Sequence, residues 1–396
     1  MLKRHSYRIS LVLGLALSLA ACAVGTDAPA LRYGTPDEIG MDPVALEQAV
    51  AIYEQAVAED EIRNVVLLVA RRGVVVVHEA IGWRDVENEL PLQRDSLFRM
   101  ASNTKPVVAT AALNLVEEGL LDLQSPVSAY IPAFSVGENA KITVHHLLTH
   151  TSGFRINSLF MSPLLEKSEE HPDAPSLQDE VPRFAEVGPE EEPGTTYSYS
   201  NPGFNTLGAL VEIASGMMLE DYLRAVIYEP LGMNESLNHE SRADHDRMSK
   251  VYRRWDEEWG TSWKPGDPPD FPFVRASGGM ISTAWDYAIF CQMYLNDGVY
   301  DGARVLVPET VVLATTPHTR EIYSEEELEE RDSFYGYGWN VSTDGSFSHS
   351  GSDGTWVRVD PERELIVMAF TQTPRRSDLR SAFFDAVVAA LSEEAY

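Results

Sequence analysis

Cysteine is scarce in this sequence: its 396 residues include only Cys22 and Cys291. Two cysteines cannot build the disulfide network that holds small secreted folds together, so the protein must rely on a hydrophobic core. The chain is long enough for one large domain, or two closely packed ones, with such a core. Because Cys291 lies in an apolar run, we expect it to be a small buried side chain.

Positive charge is also in short supply. The sequence has 31 lysines and arginines against 61 aspartates and glutamates, which gives a formal net charge of −30 at pH 7. A phosphate backbone repels a protein with this excess of negative charge, so nucleic acid is excluded as a partner. Acidic runs such as residues 325–330 are predicted to be solvated surface.

The hydrophobic run near the N-terminus is too short to span a membrane. Ile9–Ala21 has 13 residues, whereas a transmembrane helix needs about 20. Three basic residues precede the run, which is the arrangement of a secretory signal. Leu19–Cys22 resembles a bacterial lipobox, which implies cleavage before Cys22 and attachment of lipid to that cysteine.

These features predict the organisation of the chain. Residues 1–21 form a lipoprotein signal peptide, residues 22–34 a linker and residues 35–396 the folded part. The expected protein is exported and held by a lipid anchor on the periplasmic or cell-surface side of a bacterial membrane. An ordinary signal peptide with an unrelated cysteine is the alternative.

A Gly-x-Ser-x-Gly motif is missing, which argues against the nucleophile turn of an α/β-hydrolase. A different serine motif is present, because Ser102 and Lys105 stand three residues apart at the start of an apolar helix predicted over residues 106–116. This Ser-x-x-Lys spacing puts a hydroxyl and an amine on one face of the first helical turn. Lysine can act as the base for serine if desolvation or nearby positive charge lowers its pKa.

Two further motifs follow in the chain. Tyr199 and Asn201 form a Tyr-x-Asn in a turn-rich loop, and residues 347–354 contain the run His349-Ser350-Gly351. A second Tyr-x-Asn, at residues 294–296, is predicted to end a helix with its tyrosine packed. We therefore assign the functional role to Tyr199.

Ser-x-x-Lys, Tyr-x-Asn and His-x-Gly in this order resemble the serine β-lactamase and penicillin-binding-protein superfamily. Residues 142–153 and 276–283 also look like conserved regions of that superfamily. From about residue 35 to the C-terminus, the chain is most similar to the branch of class C β-lactamases, family VIII esterases and D-aminopeptidases. Residues 35–396 are thus expected to be one β-lactamase-like serine hydrolase domain.

The resemblance implies a role for each catalytic residue. Ser102 would attack a carbonyl, while Lys105 and Tyr199 would carry its proton and later protonate the leaving group. The backbone amides of Ser102 and Ser352 would bind the oxyanion of the tetrahedral intermediate.

The resemblance also implies a substrate-binding strand of His349, Ser350 and Gly351, with Gly351 allowing close approach of the substrate. Asn201 would orient Lys105 or a substrate amide. His349 departs from the family pattern, since class C β-lactamases and most penicillin-binding proteins carry lysine at that position. Histidine is largely neutral at pH 7, so carboxylate-bearing β-lactams should be held less well.

The predicted function is therefore hydrolysis of a small-molecule ester or amide through an acyl-enzyme, as in a carboxylesterase or a D-amino-acid peptidase. A true class C-like β-lactamase or D,D-peptidase is one alternative, and a non-catalytic lipoprotein that binds cell-wall peptide is another. No cofactor is expected. His146 and His150 lack the glutamate of a His-Glu-x-x-His zinc site, so we expect them to make buried hydrogen bonds.

Segments at both chain ends predict the fold. They are a helix opening at Asp42-Pro43, strands at Asn64–Ala70, Val74–Ala80, Thr355–Asp360 and Leu365–Thr371, and a helix at Ser377–Glu394. We predict an α/β (α+β) fold in which both ends build one mainly antiparallel sheet flanked by helices. Residues 101–270 would form a mostly helical insertion, with residues 163–193 as a loop over the cleft.

Overall fold

A computed structural model describes most of the folded part of the chain. The described residues are 28–154, 176–256, 258–269, 271–374 and 377–392. The predicted signal peptide, Cys22 and the first half of the predicted linker lie outside them, as do residues 163–175 of the predicted loop over the cleft.

The strands of the described residues are mostly short, except for two in a hairpin near the N-terminal end of the chain. They are β1 (Arg32–Tyr33), β2 (Asn64–Arg71), β3 (Val74–Asp85), β4 (Leu90–Pro91), β5 (Phe98–Arg99), β6 (Val251–Trp255), β7 (Glu258–Trp263), β8 (Ile281–Ser282), β9 (Val299–Tyr300), β10 (Ala303–Arg304), β11 (Ser333–Tyr335), β12 (Asn340–Ser342), β13 (Phe347–Ser350), β14 (Trp356–Asp360) and β15 (Leu365–Phe370).

Helices alternate with these strands and fill most of the middle of the chain. They are α1 (Pro43–Ala58), α2 (Thr104–Glu117), α3 (Val144–Leu148), α4 (Leu177–Val187), α5 (Asn201–Ser215), α6 (Leu219–Leu223), α7 (Glu229–Leu231), α8 (Ala284–Leu295), α9 (Pro308–Ala314), α10 (Glu325–Glu329) and α11 (Ser377–Ala389). Within the described part of the chain, no helix has the length and apolarity needed to cross a membrane.

The main sheet joins the two ends of the chain, as predicted. Among the described residues it has nine strands in the order β1-β3-β2-β15-β14-β13-β12-β11, with β4 paired to β3. Each pair is antiparallel except β1 with β3. The central strands β2 and β15 are buried throughout, so the sheet must be covered on both faces.

Alternate residues of β2 enter two different cores. Val66 and Leu68 belong to the larger core, which contains α2, α5 and α8, whereas Val65 and Leu67 belong to the core under α1 and α11. This alternation is what a strand with a side-chain period of two requires when both faces are covered. The predicted covering of the sheet by the terminal helices is confirmed.

Local sequence signals explain the helices that flank the sheet. Asp42 caps α1, because its carboxylate accepts the backbone N–H of Val44 at 2.8 Å, and Pro43 takes the first helical position. In α8, Cys291 is buried, and the hydroxyl of Tyr294 lies 2.7 Å from that of Thr110. The packed roles predicted for Cys291 and Tyr294 are confirmed.

The prediction that residues 101–270 are mostly helical is wrong at their C-terminal end. Residues 251–263 form the antiparallel hairpin β6–β7 instead. Its strands are rich in aromatic and β-branched residues, which favour β-structure, and Val251 and Trp263 enter a small separate core. The hairpin thereby becomes one wall of the cleft beside Ser102.

Candidate active site

Ser102 lies in a tight turn between β5 and α2. The turn is a 3₁₀ segment, Ala101–Asn103, so Ser102 lies two residues before the start of α2 rather than in its first turn as predicted. Ala101 has a φ of 45°, a left-handed conformation that costs a non-glycine residue about 1 kcal/mol or more. The hydroxyl of Thr104 donates to the Ala101 carbonyl at 2.7 Å and helps to hold this turn.

Lys105 occupies the first turn of α2, and its side chain is completely buried. Its Nζ lies 3.2 Å from Ser102 Oγ. The same nitrogen donates to Asn201 Oδ1 at 2.7 Å and to the backbone carbonyl of Ser277 at 2.8 Å. Three of the predicted site residues are thus in direct contact.

The surroundings of Lys105 favour its neutral form. Burial lowers the pKa of the amine well below its ordinary value, and the positive charge of Arg275 lowers it further. A neutral amine has two N–H groups and one lone pair. Because Asn201 and Ser277 offer only acceptors, they take both N–H groups, and the lone pair is left for the hydroxyl of Ser102.

Tyr199 completes the group of side chains around the serine. Its hydroxyl hydrogen-bonds to Ser102, and its ring centroid lies 4.6 Å from Lys105 Nζ. Burial raises the pKa of the phenol above its ordinary value, and the hydrogen bond with Ser102 offsets only part of that effect. Tyr199 is therefore a neutral phenol that holds a proton beside the serine.

His150 supports the loop that carries Tyr199. Its ring centroid lies 4.3 Å from that of Tyr199, and its Nδ1 accepts the backbone N–H of Ser200 at 2.9 Å. His150 lies beyond the end of α3, whereas His146 is in that helix and accepts the N–H of Thr143 at 3.2 Å. The predicted hydrogen-bonding roles are confirmed for both histidines, but only His150 is buried, whereas His146 is half-buried. Within the described ranges, no cluster of three or more His, Cys, Asp or Glu side chains is arranged as a metal site.

His349 is buried on β13, and this burial keeps its imidazole neutral. Its Nδ1 lies 2.9 Å from the backbone nitrogen of Ser350 and 3.1 Å from the Ser350 carbonyl oxygen, and its Nε2 lies 3.1 Å from the hydroxyl of Tyr335. Burial is the largest cause of the lowered pKa of His349, which is about 3. The neutral imidazole expected here thus results from its environment rather than from an ordinary pKa.

Gly351 allows other parts of the same chain to approach its backbone closely. A Cβ at this position would lie 2.4 Å from both the Met100 carbonyl oxygen and the hydroxyl of Thr355. The end of β13 can therefore pack against the residues before the serine turn only if residue 351 has no side chain. Gly351 also lines the larger cavity, and its role in admitting substrate stays a prediction.

Two cavities meet at Ser102. The smaller has a volume of about 340 Å³ and the larger about 660 Å³, and Ser102, Arg253 and Ser352 line both. Tyr199 lines the larger cavity among the described residues, and Asn201 lines the smaller one. Ser350 and His349 also border the larger cavity, so the predicted site residues surround one cleft.

Sequence reasoning missed several residues of this cleft. Ser277 lies in a segment noted only for its resemblance, and it is fixed by its N–H bond to Asn205 Oδ1 at 3.0 Å. Arg99 and Arg275 lie close to recognised motifs, but no motif marks Arg253 on β6. Their proximity arises only from the folding of the hairpin and the sheet around Ser102.

Comparisons with known proteins agree with this geometry. The structure is similar to that of EstCE1, a hydrolase with promiscuous acyltransferase activity, with a TM-score of 0.71, 23% identity and coverage of 87% of this chain and 98% of the other. An octameric penicillin-binding protein homologue from Pyrococcus abyssi is also similar, with a TM-score of 0.71 and 26% identity. That match covers 87% of this chain and 77% of the homologue. The fold is thus of the β-lactamase and penicillin-binding-protein type, as predicted.

Sequence comparison identifies the family. A family model described as Beta-lactamase matches residues 49–390. Protein Rv1367c of Mycobacterium tuberculosis is 31% identical over 348 residues, which cover 78% of this chain and 85% of that protein. Esterase EstB of Burkholderia gladioli is 35% identical over 210 residues, about half of each chain. The chain belongs to the β-lactamase family of serine hydrolases.

Proposed function

We propose that Ser102 is the nucleophile of a hydrolase that cleaves esters or amides through an acyl-enzyme. The observation that carries this proposal is the buried Lys105, whose Nζ lies 3.2 Å from Ser102 Oγ and donates to Asn201 and to the carbonyl of Ser277. Burial lowers the pKa of this amine, which favours its neutral form. A base in this state can accept the serine proton, which an exposed and charged lysine cannot do.

In the proposed acylation, Lys105 takes the Ser102 proton as Oγ bonds to the substrate carbonyl carbon. The backbone amides of Ser102 and Ser352 stabilise the oxyanion. Tyr199 then gives its phenolic proton to the departing oxygen or nitrogen and takes back the proton held by Lys105. Water attacks the acyl-enzyme with the same groups acting in reverse, which frees Ser102 and the acid.

The neutral His349 supports ester or simple amide substrates over carboxylate-bearing β-lactams. A buried imidazole bonded to Tyr335 and Ser350 offers no positive charge to a substrate carboxylate. Relatives carry the names esterase and putative D-alanyl-D-alanine carboxypeptidase, and the second, from Salmonella typhimurium, is 22% identical over 93% of this chain. Ester hydrolysis is therefore the activity that we propose first, because it needs no cation at position 349.

Turnover of p-nitrophenyl acetate and butyrate beside nitrocefin tests this proposal. We expect the wild type to cleave the esters faster than nitrocefin, and Ser102→Ala to lose about 10³-fold or more in kcat/KM. Ser135→Ala, at an exposed position away from the cleft, is the matched control and should behave as the wild type. Ester cleavage that survives in Ser102→Ala would refute the assignment of the nucleophile.

We further propose that the protein is exported and anchored through lipid on Cys22. The basic residues, the short apolar run and the cysteine at its end support this proposal. When cells that express the chain are supplied with an alkynyl fatty acid, the wild type and the Cys291→Ala variant should become labelled. The Cys22→Ser variant should not. Secretion of a cleaved, unlabelled wild type would instead indicate an ordinary signal peptide.

A further inference from the structure

Helix α5 is linked to the amine of Lys105 in two ways. Asn201 Oδ1 accepts a hydrogen bond from Lys105 Nζ directly, at 2.7 Å. One turn later in α5, Asn205 Oδ1 accepts the backbone N–H of Ser277 at 3.0 Å, and the carbonyl of Ser277 accepts from Nζ at 2.8 Å. Because residues four apart lie on the same face of a helix, one face of α5 carries both links to the base.

Asn205 has no access to the substrate itself. Its side chain is fully buried, and it lines neither of the two cavities that meet at Ser102. Ser277, in contrast, lines the smaller cavity. Any effect of Asn205 on turnover must therefore pass through the backbone of Ser277.

The direction of the Ser277 carbonyl depends on hydrogen bonds made by side chains. Ser277 lies in a turn, outside the helices and strands, so neither a sheet ladder nor a helical bond fixes its carbonyl. A short distance along the chain, the N–H of Met280 donates to Thr104 Oγ at 3.0 Å. The bond from Ser277 to Asn205 fixes the other end of this segment. The two bonds together hold residues 277–280 between α5 and the start of α2.

The amide of Asn205 makes this bond at a cost to the core. Within the described ranges, its Nδ2 is buried and has no hydrogen-bond partner. A buried donor without a partner destabilises the folded state. An amide retained under these conditions is explained by the work of its oxygen, which holds Ser277.

The amide oxygen also accepts a hydrogen bond without bringing negative charge towards the base. Charged or titratable side chains among the described residues face Lys105 from several elements, namely Arg275, Tyr199, His150 and His349. Burial raises the pKa of the phenol and lowers the pKa of both imidazoles, so these three groups are neutral and Arg275 supplies a positive charge. A carboxylate at residue 205 would add a negative charge that favours the ammonium form of the base.

We propose that Asn205 is a positioning residue of the base, which holds the carbonyl of Ser277 against Lys105 Nζ without adding negative charge beside the amine. Held in this way, Nζ keeps its place beside Ser102 Oγ while it accepts and releases a proton in each turnover. The inference rests on the proposed acyl-enzyme function and identifies a residue outside the three sequence motifs on which that function depends.

Asn205→Leu tests the positioning role, because leucine has the same branching as asparagine and offers no acceptor to Ser277. With p-nitrophenyl butyrate, kcat should fall by about tenfold or more while KM changes by less than about threefold, since Lys105 serves in both formation and hydrolysis of the acyl-enzyme. Asn139→Leu is the matched control. Asn139 is also buried, donates to the carbonyl of Ala185 at 2.7 Å and lines neither cavity, so its loss should leave kcat and KM unchanged.

Asn205→Asp keeps the acceptor and adds a charge. The readout is the rate at which an ethoxy fluorophosphonate reacts with Ser102, a step in which Oγ bonds to phosphorus, fluoride leaves and Lys105 accepts the proton. Because a carboxyl group is more acidic than an amine, a proton shared by the aspartate and Lys105 should reside on the amine. The rate should therefore begin to fall at a pH higher than in the wild type by about 1, and should equal the wild-type rate at more alkaline pH.

Two further aspartate variants calibrate this displacement. In Asn201→Asp the charge contacts Nζ directly, so the displacement should be larger than in Asn205→Asp. Asn139→Asp should leave the pH dependence where it is in the wild type. A residue that only fills space in the core would not move the pH dependence, so this readout separates positioning of the base from packing.

The outcomes separate this inference from the proposed function. Thermal melting identifies variants that remain folded, and Asn205→Asp decides alone if Asn205→Leu does not fold. A folded Asn205→Leu that keeps kcat within about threefold of the wild type, or that loses activity through KM alone, would show that Asn205 is only a packing residue. An unmoved pH dependence in Asn205→Asp, beside a displaced one in Asn201→Asp, would also refute the inference.

Either of these results would leave the proposed function intact, because the wild type would still be active. A folded wild type that neither hydrolyses the ester nor reacts with the fluorophosphonate would refute the proposed function, and this inference with it.

Discussion

At the scale of single residues, the chemistry depends on keeping one amine uncharged. Lys105 is buried, Arg275 repels a proton from it, and Asn201 and Ser277 fix the direction of its lone pair. Tyr199 has the opposite task, because burial keeps its phenol protonated. The same desolvation thus prepares a base and an acid on either side of Ser102.

Replacing Lys105 should abolish turnover without unfolding the protein. Lys105→Ala removes the base, and Lys105→Arg substitutes a group that stays charged, so both should lower kcat/KM by about 10³-fold. Lys264→Ala, at an exposed position, serves as the control. Steady-state kinetics on p-nitrophenyl butyrate measure the effect, and activity in Lys105→Arg within tenfold of wild type would exclude lysine as the base.

The pH dependence should follow Lys105 and Tyr199 rather than His349. Protonation inactivates the base, so kcat/KM should fall as pH decreases through the lowered pKa of Lys105. Loss of the phenolic proton should begin only above about pH 10, since burial raises the pKa of Tyr199. The pKa of His349 is about 3, so its imidazole nitrogen shifts should stay constant from about pH 5 upwards in NMR spectra. A titration of His349 centred near pH 6.5 would contradict the buried geometry.

At the scale of elements, the site depends on how closely β13 packs against the serine turn. The hydroxyl of Thr355 donates to the carbonyl of Met100 at 3.1 Å, and Asn103 Nδ2 donates to that same hydroxyl at 2.9 Å. These bonds join the connection between β13 and β14 to the turn of Ser102. The relative position of the two amides proposed to bind the oxyanion, those of Ser102 and Ser352, therefore depends on contacts between elements.

A methyl group at residue 351 should separate these elements. In Gly351→Ala, the new Cβ would lie 2.4 Å from the Met100 carbonyl oxygen, so β13 must shift and kcat/KM should fall by about 100-fold. In Gly345→Ala, the φ of 81° strains the backbone but no atom lies within 4 Å of the new Cβ. That control should lose about 1 kcal/mol of stability and keep its activity. Equal activity losses in the two variants would argue against the packing explanation.

The elements also show what the sequence could predict. The strands at both chain ends have clear valine periodicity and turn residues, and the three motifs identify Ser102, Lys105 and Tyr199. Arg253 carries no local signal, because its place beside Ser102 follows from the pairing of β6 with β7, in the region that the sequence predicts to be mostly helical. The support of Tyr199 by His150 depends likewise on contacts between residues about 50 positions apart.

At the scale of the whole molecule, the chain has a net charge of −30, although several arginines line its cleft. Repulsion between surface carboxylates destabilises the compact state, and salt screens it. We therefore expect the melting temperature at pH 7.5 to rise between about 0.05 and 0.5 M NaCl. The increase should be smaller near pH 5, close to the isoelectric point of about 4.6, where fewer carboxylates are ionised. A melting temperature that falls with NaCl at pH 7.5 would show that surface ion pairs outweigh the repulsion.

The central claim is that Ser102 carries an acyl group during turnover. The most direct measurement is peptide mapping by mass spectrometry after rapid acid quenching of the enzyme with p-nitrophenyl butyrate. We expect a mass increase of one butyryl group on the peptide that contains Ser102. The same peptide of Ser102→Ala should show no such increase. A butyryl group on another residue, or turnover without any acylated peptide, would contradict it.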